Sequence, residues 1–596
     1  KKESPFYRDA SIKKTLTSAL DFWLQNDFRC DNWWWNEMGT PRHMIDIMLM
    51  MDTELTPSQS AAALKIANRA NLEASGARPG GDLLPIAGML GKQALFSRDT
   101  AVLAHVINVM ASEIKITTGR GIKPDMSFHH RVDNVISTLT YGSSFAGSFA
   151  YWSVVIAGTR FKLPDAAIKL LIDYYLDGIC RSLVYGIYPD PAAQNRDMTR
   201  KNALDAEGTE LPENLAKASY YRSKELQNII ALRKGTTRVV ASNNMFFWHS
   251  SYLVHQRQGY FASVRMHSSR ASNMEQPHNE EGLKMHHFGD GSNFILRRGT
   301  EYSNIYPVWD WQKIPGATIL QKADLPSFQE VAKKGLSDFS GGVSDGRYGL
   351  SAIDLISVHD PLKAKKSWFF FDREYVCLGA DINANSDLQV VTSINQTLLN
   401  GKVVAGYARD EKQGRGVKEI PSGDNHLSNV KWILHDSVGY LFFKPQDAEL
   451  ANRATTGNWR MISHQATATT EPVTKDVFSL WMNHGSRTTN GAYAYVVVPN
   501  VAEKDLDGYI KRSGIEVIAN SAALQAVYHK KLGMIQAVFY TAGSFSAGGF
   551  AITTDQPCMI MIDKTGKISA SDPTQKLKKI SLRVKKGNAT EKLVEL

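Results

Sequence analysis

The spacing of apolar residues divides the chain into a helical part and a strand-rich part. Between residues 11 and 235, apolar positions recur at helical spacing, as Ile12, Leu16 and Leu20 do in the first such segment. Helices joined by short loops are typical of stacked helical hairpins, and a break is expected at Leu163-Pro164. The predicted helices cover 11–25, 41–51, 58–70, 101–114, 141–158 and 165–182.

The pattern changes to a period of two near residues 234–242. Segments such as MIQAVFYT and AYAYVVVP alternate between apolar and other residues, and Gly, Asn and Asp separate them. About twelve such strands without intervening helices predict stacked antiparallel sheets. A further division is expected near 501–507. We therefore predict a helical half, a β-sandwich half and a cleft between them.

Composition and charge narrow the class of protein. The chain has 596 residues, of which 43% are hydrophobic and 21% charged, so several domains are expected. Its formal net charge of +10 suits a polyanionic partner such as nucleic acid, anionic lipid or an acidic polysaccharide. Four widely spaced cysteines predict neither a disulfide framework nor a zinc site. The sequence contains no run of about 18 apolar residues, so no transmembrane helix is expected.

The segment 123–151 carries the densest candidate chemistry. His129, His130 and Arg131 stand together, and Tyr141 follows in a Tyr-Gly pair. Burying such polar groups without partners costs a few kcal/mol, roughly 2–7 on transfer scales. These residues allow two interpretations of the segment. The segment is either a polar loop between helices or a cleft in which an imidazole and a phenol meet a substrate proton.

An aromatic run near the start of the chain could bind sugar rings. Three consecutive tryptophans cannot all face one core on a helix or a strand, so we expect at least one to be exposed. An exposed tryptophan beside an asparagine is a good stacking platform for a sugar or a base, but packing between helices would explain the run as well. The residues are Asn32, Trp33, Trp34 and Trp35.

Two further segments carry candidate charges. Arg196 and Arg200 are four residues apart, so on a helix both guanidinium groups would lie on one face and could bracket a carboxylate or sulfate. A solvated basic face is the alternative. Glu275 lies in the polar segment NMEQPHNEEG, which we interpret as a loop over the cleft or as an ordinary surface loop. Its spacing matches no specific metal-ligand pattern.

These motifs together resemble those of the chondroitin AC, hyaluronate and xanthan lyases, and also of the chondroitin ABC lyases. The resemblance rests on NWWWNEMGTPRHM, YPDPAAQNRDMTR and VRMHSSRASNMEQPHNEEGLKMHHFGDGSN, and it extends over nearly the whole chain. It implies an incomplete α/α toroid, a large antiparallel β-sandwich and a small C-terminal β domain. The expected limits are 1–236, 237–502 and 503–596.

The resemblance also implies an activity and a set of roles. Lyases of this group remove the C5 proton of a uronic acid, break the C4–O bond by β-elimination and leave a 4,5-unsaturated sugar. By resemblance, Tyr141 acts as the base and then as the acid, and His130 is the catalytic histidine. Arg196 and Arg200 support the phenol and bind the sugar acid, and Glu275 orients the network. The expected substrate-binding residues are Trp33, Trp34, Trp35, Asn32, Arg78 and His129.

The chain departs from the group's pattern at three places. Tyr141 comes eleven positions after His130, which is a longer spacing than usual, so His129 stays an alternative and strict alignment puts Arg131 at the histidine position. Arg78 stands where the AC-type lyases have the asparagine that neutralises the uronate. Asp310 keeps one position of their calcium site, but glutamine replaces the next acidic ligand. These changes leave room for dermatan as a substrate.

The expected substrate is a glycosaminoglycan: chondroitin or dermatan sulfate, with hyaluronan as a further candidate. The alternatives are an inactive carbohydrate-binding homologue and a lyase for xanthan or alginate. We expect a monomer that binds neither nucleic acid nor membrane. The resemblance requires no cofactor and leaves a role for calcium or magnesium open. The start KKESPFYRDA is no signal peptide, so for a secreted or periplasmic bacterial enzyme we expect a leader outside this numbering.

Overall fold

The computed structural model describes residues 5–6, 9–73, 76–408 and 416–595. Its N-terminal part is helical, as the apolar spacing predicts. Asp9 caps the first helix by accepting hydrogen bonds from two backbone amides, and Thr56 and Gln59 form a capping box. The helices are α1 Ala10–Asn26, α2 Thr40–Met51, α3 Pro57–Ala67, α4 Leu83–Ser97, α5 Thr100–Glu113, α6 Tyr141–Val155, α7 Asp165–Asp173, α8 Glu210–Ala218 and α9 Ser223–Arg233, and a short α10 Tyr509–Ser513 follows much later.

The change from helices to sheets falls where the period changes. Helix α9 ends at Arg233, and the strand that opens the first four-stranded sheet begins at Asn243. This sheet has the order β5-β6-β7-β8. Its strands are β5 Asn243–Phe247, β6 Tyr252–Arg257, β7 Tyr260–Arg265 and β8 Ser292–Leu296, and two small hairpins precede it: β1 Gly121–Ile122 with β2 Phe128–His129, and β3 Leu183–Val184 with β4 Tyr188–Pro189.

A twelve-stranded sheet forms the largest part of the strand-rich region. Its main path is β10-β11-β12-β13-β20-β18-β17-β15-β16, while β19 joins β18 to β14, and β14 pairs with β9. The strands are β9 Thr318–Leu320, β10 Ser340–Ser344, β11 Gly349–Ile356, β12 Leu362–Phe370, β13 Tyr375–Ala384, β14 Val390–Leu398, β15 Val403–Tyr407, β16 Val417–Glu419, β17 Gly423–His435, β18 Val438–Gly457, β19 Val473–Gly485 and β20 Gly491–Pro499.

Two smaller sheets complete the chain. They have the orders β21-β22-β23-β26-β27 and β24-β25-β28-β29, and they pack around a core of their own. The strands are β21 Ile515–Asn520, β22 Leu524–His529, β23 Met534–Phe539, β24 Gly543–Ala547, β25 Phe550–Thr554, β26 Cys558–Ile562, β27 Ile568–Ser571, β28 Ser581–Lys586 and β29 Lys592–Glu595.

Among the described strands, every ladder is antiparallel, as the uninterrupted series of strand patterns predicts. The predicted fold class is therefore confirmed: a helical domain, a large sheet-rich domain and a small C-terminal β domain. The limits at 236 and 502 stay predictions. None of the described helices is both long enough and apolar enough to cross a bilayer.

One apolar core joins the helices to the first sheets. Trp152 of α6 and Tyr174 belong to the same buried cluster as Phe294 of β8 and Trp309. This shared core fixes the start of α6 and the loop between β7 and β8 relative to each other. That loop, residues 266–291, carries most of the acidic side chains of the site described below.

Candidate active site

The phenol of Tyr141 stands at the first position of helix α6. Its Oη accepts a hydrogen bond from Arg196 Nη2 at 3.1 Å and a longer one from Arg131 Nη2 at 3.5 Å. Gly142 lets the helix start lie against the core, since a Cβ there would come within 2.1 Å of the Tyr174 hydroxyl. The Tyr-Gly pair thus combines a phenol between two guanidinium groups with the small residue that its position requires.

The two neighbouring histidines point in different directions. The ring of His130 stacks on Tyr141, with centroids 3.4 Å apart and an interplanar angle of 7°. Its Nδ1 donates to the carbonyl of Gly80 at 3.2 Å, which leaves Nε2 as an acceptor in the neutral ring. Burial lowers the pKa of His130 to about 3, and the nearby cation of Arg131 acts in the same direction. His130 is therefore neutral at physiological pH.

His129 lies in strand β2, and its side chain leads away from the phenol. Its Nε2 is 2.9 Å from the Ser250 hydroxyl, which in turn donates to Ser127 at 2.8 Å. The side chain is 1% exposed. This burial speaks against direct contact with a substrate, and the role of His129 in substrate binding stays a prediction. Successive side chains of an extended strand point to opposite sides, and the sequence did not indicate which of the two histidines faces the cleft.

Arginines and buried glutamates surround the phenol, and we call this group the tyrosine cluster: Tyr141, His130, Arg131, Arg196, Arg200, Glu275 and Glu281. Arg196 Nη1 is 3.5 Å from Glu275, whose carboxylate also lies 3.5 Å from Arg131 Nε. Burial raises the pKa of Glu275, while Arg196 opposes that change. Because a buried carboxylate is costly without a cation, these pairs hold the guanidinium groups in place.

The paired arginines do bracket a carboxylate, but it belongs to the protein. Arg200 Nε and Nη2 bind both oxygens of Glu281 at 2.7 and 2.8 Å, and Arg196 Nε lies 3.6 Å from the same carboxylate. The backbone differs from the predicted helix, because a 3₁₀ turn covers Arg196–Thr199 and Arg200 is extended. The side chain of Arg200 is 52% exposed, whereas that of Glu281 is 2% exposed.

Sequence reasoning assigned no role to Glu281 or His278, and it considered Arg131 only as an alternative at the histidine position. Arg131 reaches both Tyr141 and Glu275, and it donates to His278 Nε2 at 2.5 Å. Glu281 anchors Arg200, as described above. Burial and the neighbouring Arg131 lower the pKa of His278 to about 4. The sequence places Arg131 directly after the histidine pair, and it places His278 and Glu281 in the polar segment around Glu275. Only the fold shows that these side chains come together.

The tryptophan run lies beside the loop that carries Arg78. Trp33 is 43% exposed and Trp35 49% exposed, while Trp34 packs on a small apolar cluster, so the expectation of an exposed tryptophan is confirmed. The Trp33 ring packs closely on Gly76, and Gly81 of the same loop touches the His130 ring. Arg78 itself is exposed. Asn32 uses its side-chain oxygen to accept from the Trp34 amide at 3.0 Å.

The region that corresponds to the calcium site of the AC-type lyases is filled by protein groups. Asp310 pairs with Lys313 Nζ at 2.6 Å, and the Gln312 amide makes two 2.8 Å hydrogen bonds to the backbone of Lys322. An ammonium and an engaged amide do not fit a calcium site. Among the residues that the structure describes, no group of three or more His, Cys, Asp or Glu side chains is arranged to hold a metal.

Known proteins share this architecture and much of this sequence. The chain is 33% identical to Chondroitinase-AC of Pedobacter heparinus over 98% of its own length and 83% of the relative's. The chain belongs to polysaccharide lyase family 8. Three parts of that family match in order: the N-terminal α-helical domain over 1–231, the super-sandwich domain over 242–510 and the C-terminal β-sandwich domain over 516–581.

Other members of polysaccharide lyase family 8 give the same result. A solved chondroitinase AC lyase, studied as oligosaccharide complexes, superposes with a TM-score of 0.92 at 31% identity, covering 100% of this chain and 88% of the other. Xanthan lyase of a Bacillus species is 24% identical over 96% of this chain and 66% of its own. As a family 8 lyase, the protein is an enzyme of the carbon–oxygen lyase class that acts on polysaccharide.

Proposed function

We propose that this lyase cleaves uronate-containing glycosaminoglycans, with chondroitin or dermatan sulfate as the main substrates and hyaluronan as a further one. Its relative at 33% identity is named Chondroitinase-AC, which supports chondroitin. A net charge of +10 favours an acidic polymer. Arg78, at the position of the expected asparagine, is a different donor for the uronate and supports a wider choice of uronate epimer.

The position of Tyr141 carries the proposal. Its phenol oxygen takes the C5 proton, the electrons of that C–H bond form the C4–C5 double bond, and the C4–O bond breaks. The proton on Tyr141 then passes to the leaving oxygen, so the enzyme returns to its starting state. Arg196 and Arg131, at 3.1 and 3.5 Å, stabilise the negative charge of the phenolate before it acts. No step in this scheme requires a metal ion.

The remaining residues of the tyrosine cluster take positioning roles in this proposal. A neutral His130 with a pKa near 3 is a weak base, which favours contact with the substrate carboxylate region and support of the Tyr141 ring over proton abstraction. Glu275 holds Arg131 and Arg196 beside the phenol. Arg200 stays half-exposed beside Glu281 and is proposed to bind the sugar acid.

Substrate binding is assigned to the surface beside this cluster. Arg78 would neutralise the uronate carboxylate, because a guanidinium can bind both carboxylate oxygens. The exposed faces of Trp33 and Trp35 would stack on sugar rings, with Trp34 supporting them from the core. Asn32 is exposed at the start of this run. These assignments agree with the contact of Trp33 on the loop of Arg78.

The direct test is the ultraviolet absorbance of the unsaturated uronate product. The protein is incubated with chondroitin, dermatan, hyaluronan, heparan, alginate and xanthan, each with and without a chelator. We expect absorbance to rise on chondroitin or dermatan and to be unaffected by the chelator. A rise on xanthan or alginate alone would replace the proposed substrate. Silence on all six polymers, with binding retained, would support a carbohydrate-binding protein instead.

We also infer that the enzyme works outside the cytoplasm, in the periplasm or the medium, as a monomer. Glycosaminoglycans are long anionic polymers, so a cell must shorten them before uptake. Fractionation of the producing cells with the absorbance assay on each fraction tests the location. Activity confined to the cytoplasmic fraction would contradict it, and light scattering of the purified chain tests the monomer.

A further inference from the structure

A cavity of about 320 Å³ lies on one face of the large sheet, apart from the tyrosine cluster. Its floor comes from alternate positions of β19 and the neighbouring strand β18. Phe478, Leu480 and Met482 of β19 point into the core of the sandwich, so Ser479 and Trp481 face the other way and line the cavity. The volume is at the lower end of the usual range for small-molecule sites, roughly 300–1,000 Å³.

The walls are aromatic and basic. Trp309 and Trp311 come from the segment after β8, and Lys284 comes from the end of the loop that carries Glu281. Lys313 Nζ lies 4.9 Å from the centre of the Trp481 ring, over its face. Tryptophan faces next to ammonium groups are the surfaces on which sugar rings stack and on which their acidic substituents find a counter-charge.

Two buried polar atoms at this cavity have no hydrogen-bond partner among the described residues. They are the indole Nε1 of Trp311 and the hydroxyl of Ser479, in side chains that are 4% and 6% exposed. Leaving such a group unpaired is unfavourable, so an orphaned donor is a sign that a partner is missing. Both atoms are closed off from solvent, so an acceptor-rich ligand pairs with them only if these side chains shift when it binds.

The charge balance favours an anion. In the described part of the chain, no carboxylate oxygen lies within 4 Å of Lys284 Nζ, and the nearby Asp310 is already paired with Lys313. Burial lowers the pKa of Lys284, the charge of Asp310 offsets part of that change, and a bound anion would oppose it further. Arg453 adds a further cation, partly offset by its pair with Asp424.

We propose that this cavity is a second carbohydrate-binding site, which takes one anionic sugar unit of the polymer without cleaving it. The identity of the sugar rests on the proposed function, since the same polymer would occupy both sites. The loop of Glu281 separates them: the amides of Gly282 and Leu283 both donate to the Ile462 carbonyl, and Ile462 lines the cavity. A polymer held here keeps other parts of its chain at high local concentration near Tyr141.

The test uses a chondroitin sulfate tetrasaccharide and calorimetry. With Tyr141→Phe, we expect two binding events per chain; with Tyr141→Phe combined with Trp481→Ala, or separately with Lys284→Gln, we expect one. Trp248→Ala is the control for loss of an exposed tryptophan, because Trp248 lies in neither site and is 42% exposed. It should leave both events. A single event in the Tyr141→Phe protein, or two events in all variants, overturns the proposal.

Kinetics of the otherwise native enzyme separate this site from the catalytic one. Trp481→Ala and Lys284→Gln should raise the KM for long polymer roughly 3- to 10-fold and leave kcat and KM for the tetrasaccharide unchanged. Equal losses on both substrates would contradict a separate site. Sodium sulfate alone serves as a further probe: if it displaces the tetrasaccharide from this site at equal concentration, the cavity binds an inorganic anion and not a sugar. Absence of turnover with the second binding event retained would refute the proposed lyase substrate while leaving this site intact.

Discussion

Two clusters of buried titratable side chains meet the same loop, 266–291, and they differ in which hydrogen-bond donors point beyond the cluster. The tyrosine cluster contacts it through Glu275 and Glu281. At its ends a second group forms, which we call the histidine cluster: His267, His287, His359, Asp290 and Asp360. In this second cluster Asp290 accepts from His267 at 3.0 Å and from His287 at 2.9 Å.

The two clusters differ in how exposed their side chains are and in which atoms their polar groups contact. Asp290 is fully buried; burial opposes its ionisation, but the two histidine hydrogen bonds outweigh that and lower its pKa. In the tyrosine cluster Glu275 and Glu281 are buried as well. Arg196, which pairs with both, also donates to the Tyr141 oxygen, and Arg200, which pairs with Glu281, is half-exposed. Buried carboxylates with cationic or imidazole partners are common to both clusters. Of the two, the tyrosine cluster adds donors that reach a phenol oxygen, and for that reason we propose that the active site lies there.

Among the substitutions that keep the Tyr141 oxygen, Arg196→Ala should have the largest effect, because Arg196 contacts the phenol and both buried glutamates. We expect turnover to fall about 10²- to 10³-fold. Stability should fall by about 3–5 kcal/mol, since Glu275 would keep only Arg131. Initial rates from product absorbance and urea unfolding measure the two effects.

Arg196→Lys is the matched control for that loss. Lysine keeps the positive charge, but its ammonium group lacks the planar guanidinium that reaches three partners. The free energy of unfolding should therefore recover more than turnover does. Turnover of Arg196→Ala within tenfold of the native rate would show that the arginine is a structural ion pair like those of the histidine cluster.

The neighbouring histidines provide the second comparison. His130→Gln removes the ring that stacks on Tyr141 and should lower kcat about 10²-fold through misplacement of the phenol. His129→Gln removes a buried hydrogen bond and should cost about 1–3 kcal/mol of stability, with kcat nearly unchanged. The reverse pattern would assign the catalytic role to His129.

Asp290→Asn should affect stability alone. The histidines lose a charged acceptor, and we expect a loss of about 1–3 kcal/mol with unchanged kcat per folded molecule. Asp387→Asn breaks an exposed pair with Arg487 and should change stability by less than about 1 kcal/mol. A drop in kcat for Asp290→Asn at full folding would link the two clusters functionally.

Acid should destabilise the fold in a predictable window. The pKa of His129 and that of His130 are both lowered to about 3 by burial, so between pH 6.5 and 3 only the unfolded chain protonates them. Their stabilising effect is complete above pH 6.5 and falls with pH by about 1.4 kcal/mol per unit for each histidine. His129→Gln should reduce the slope of unfolding free energy against pH by that amount; an unchanged slope would mean that His129 is accessible to protons.

Much of this architecture could be predicted from apolar spacing. The change from helices to strands was expected at 234–242, and the first sheet begins at Asn243. Helix α4, Leu83–Ser97, was not predicted, because the segment is apolar around most of its circumference and shows little period. The order of residues along the chain did not predict that Arg131, Arg196 and Glu275 meet around one phenol. Those contacts depend on how the helices dock against the loop between β7 and β8.

In the proposed reaction, the Tyr141 oxygen moves the proton. The most direct measurement compares Tyr141→Phe with the native enzyme, using product absorbance for turnover and calorimetry for binding of the substrate polymer. Phenylalanine keeps the ring that stacks on His130 and removes only the oxygen. We predict that turnover falls at least about 10³-fold while the Kd changes no more than a few-fold. Turnover within tenfold of the native rate would show that Tyr141 is not the base and would place that role on another residue.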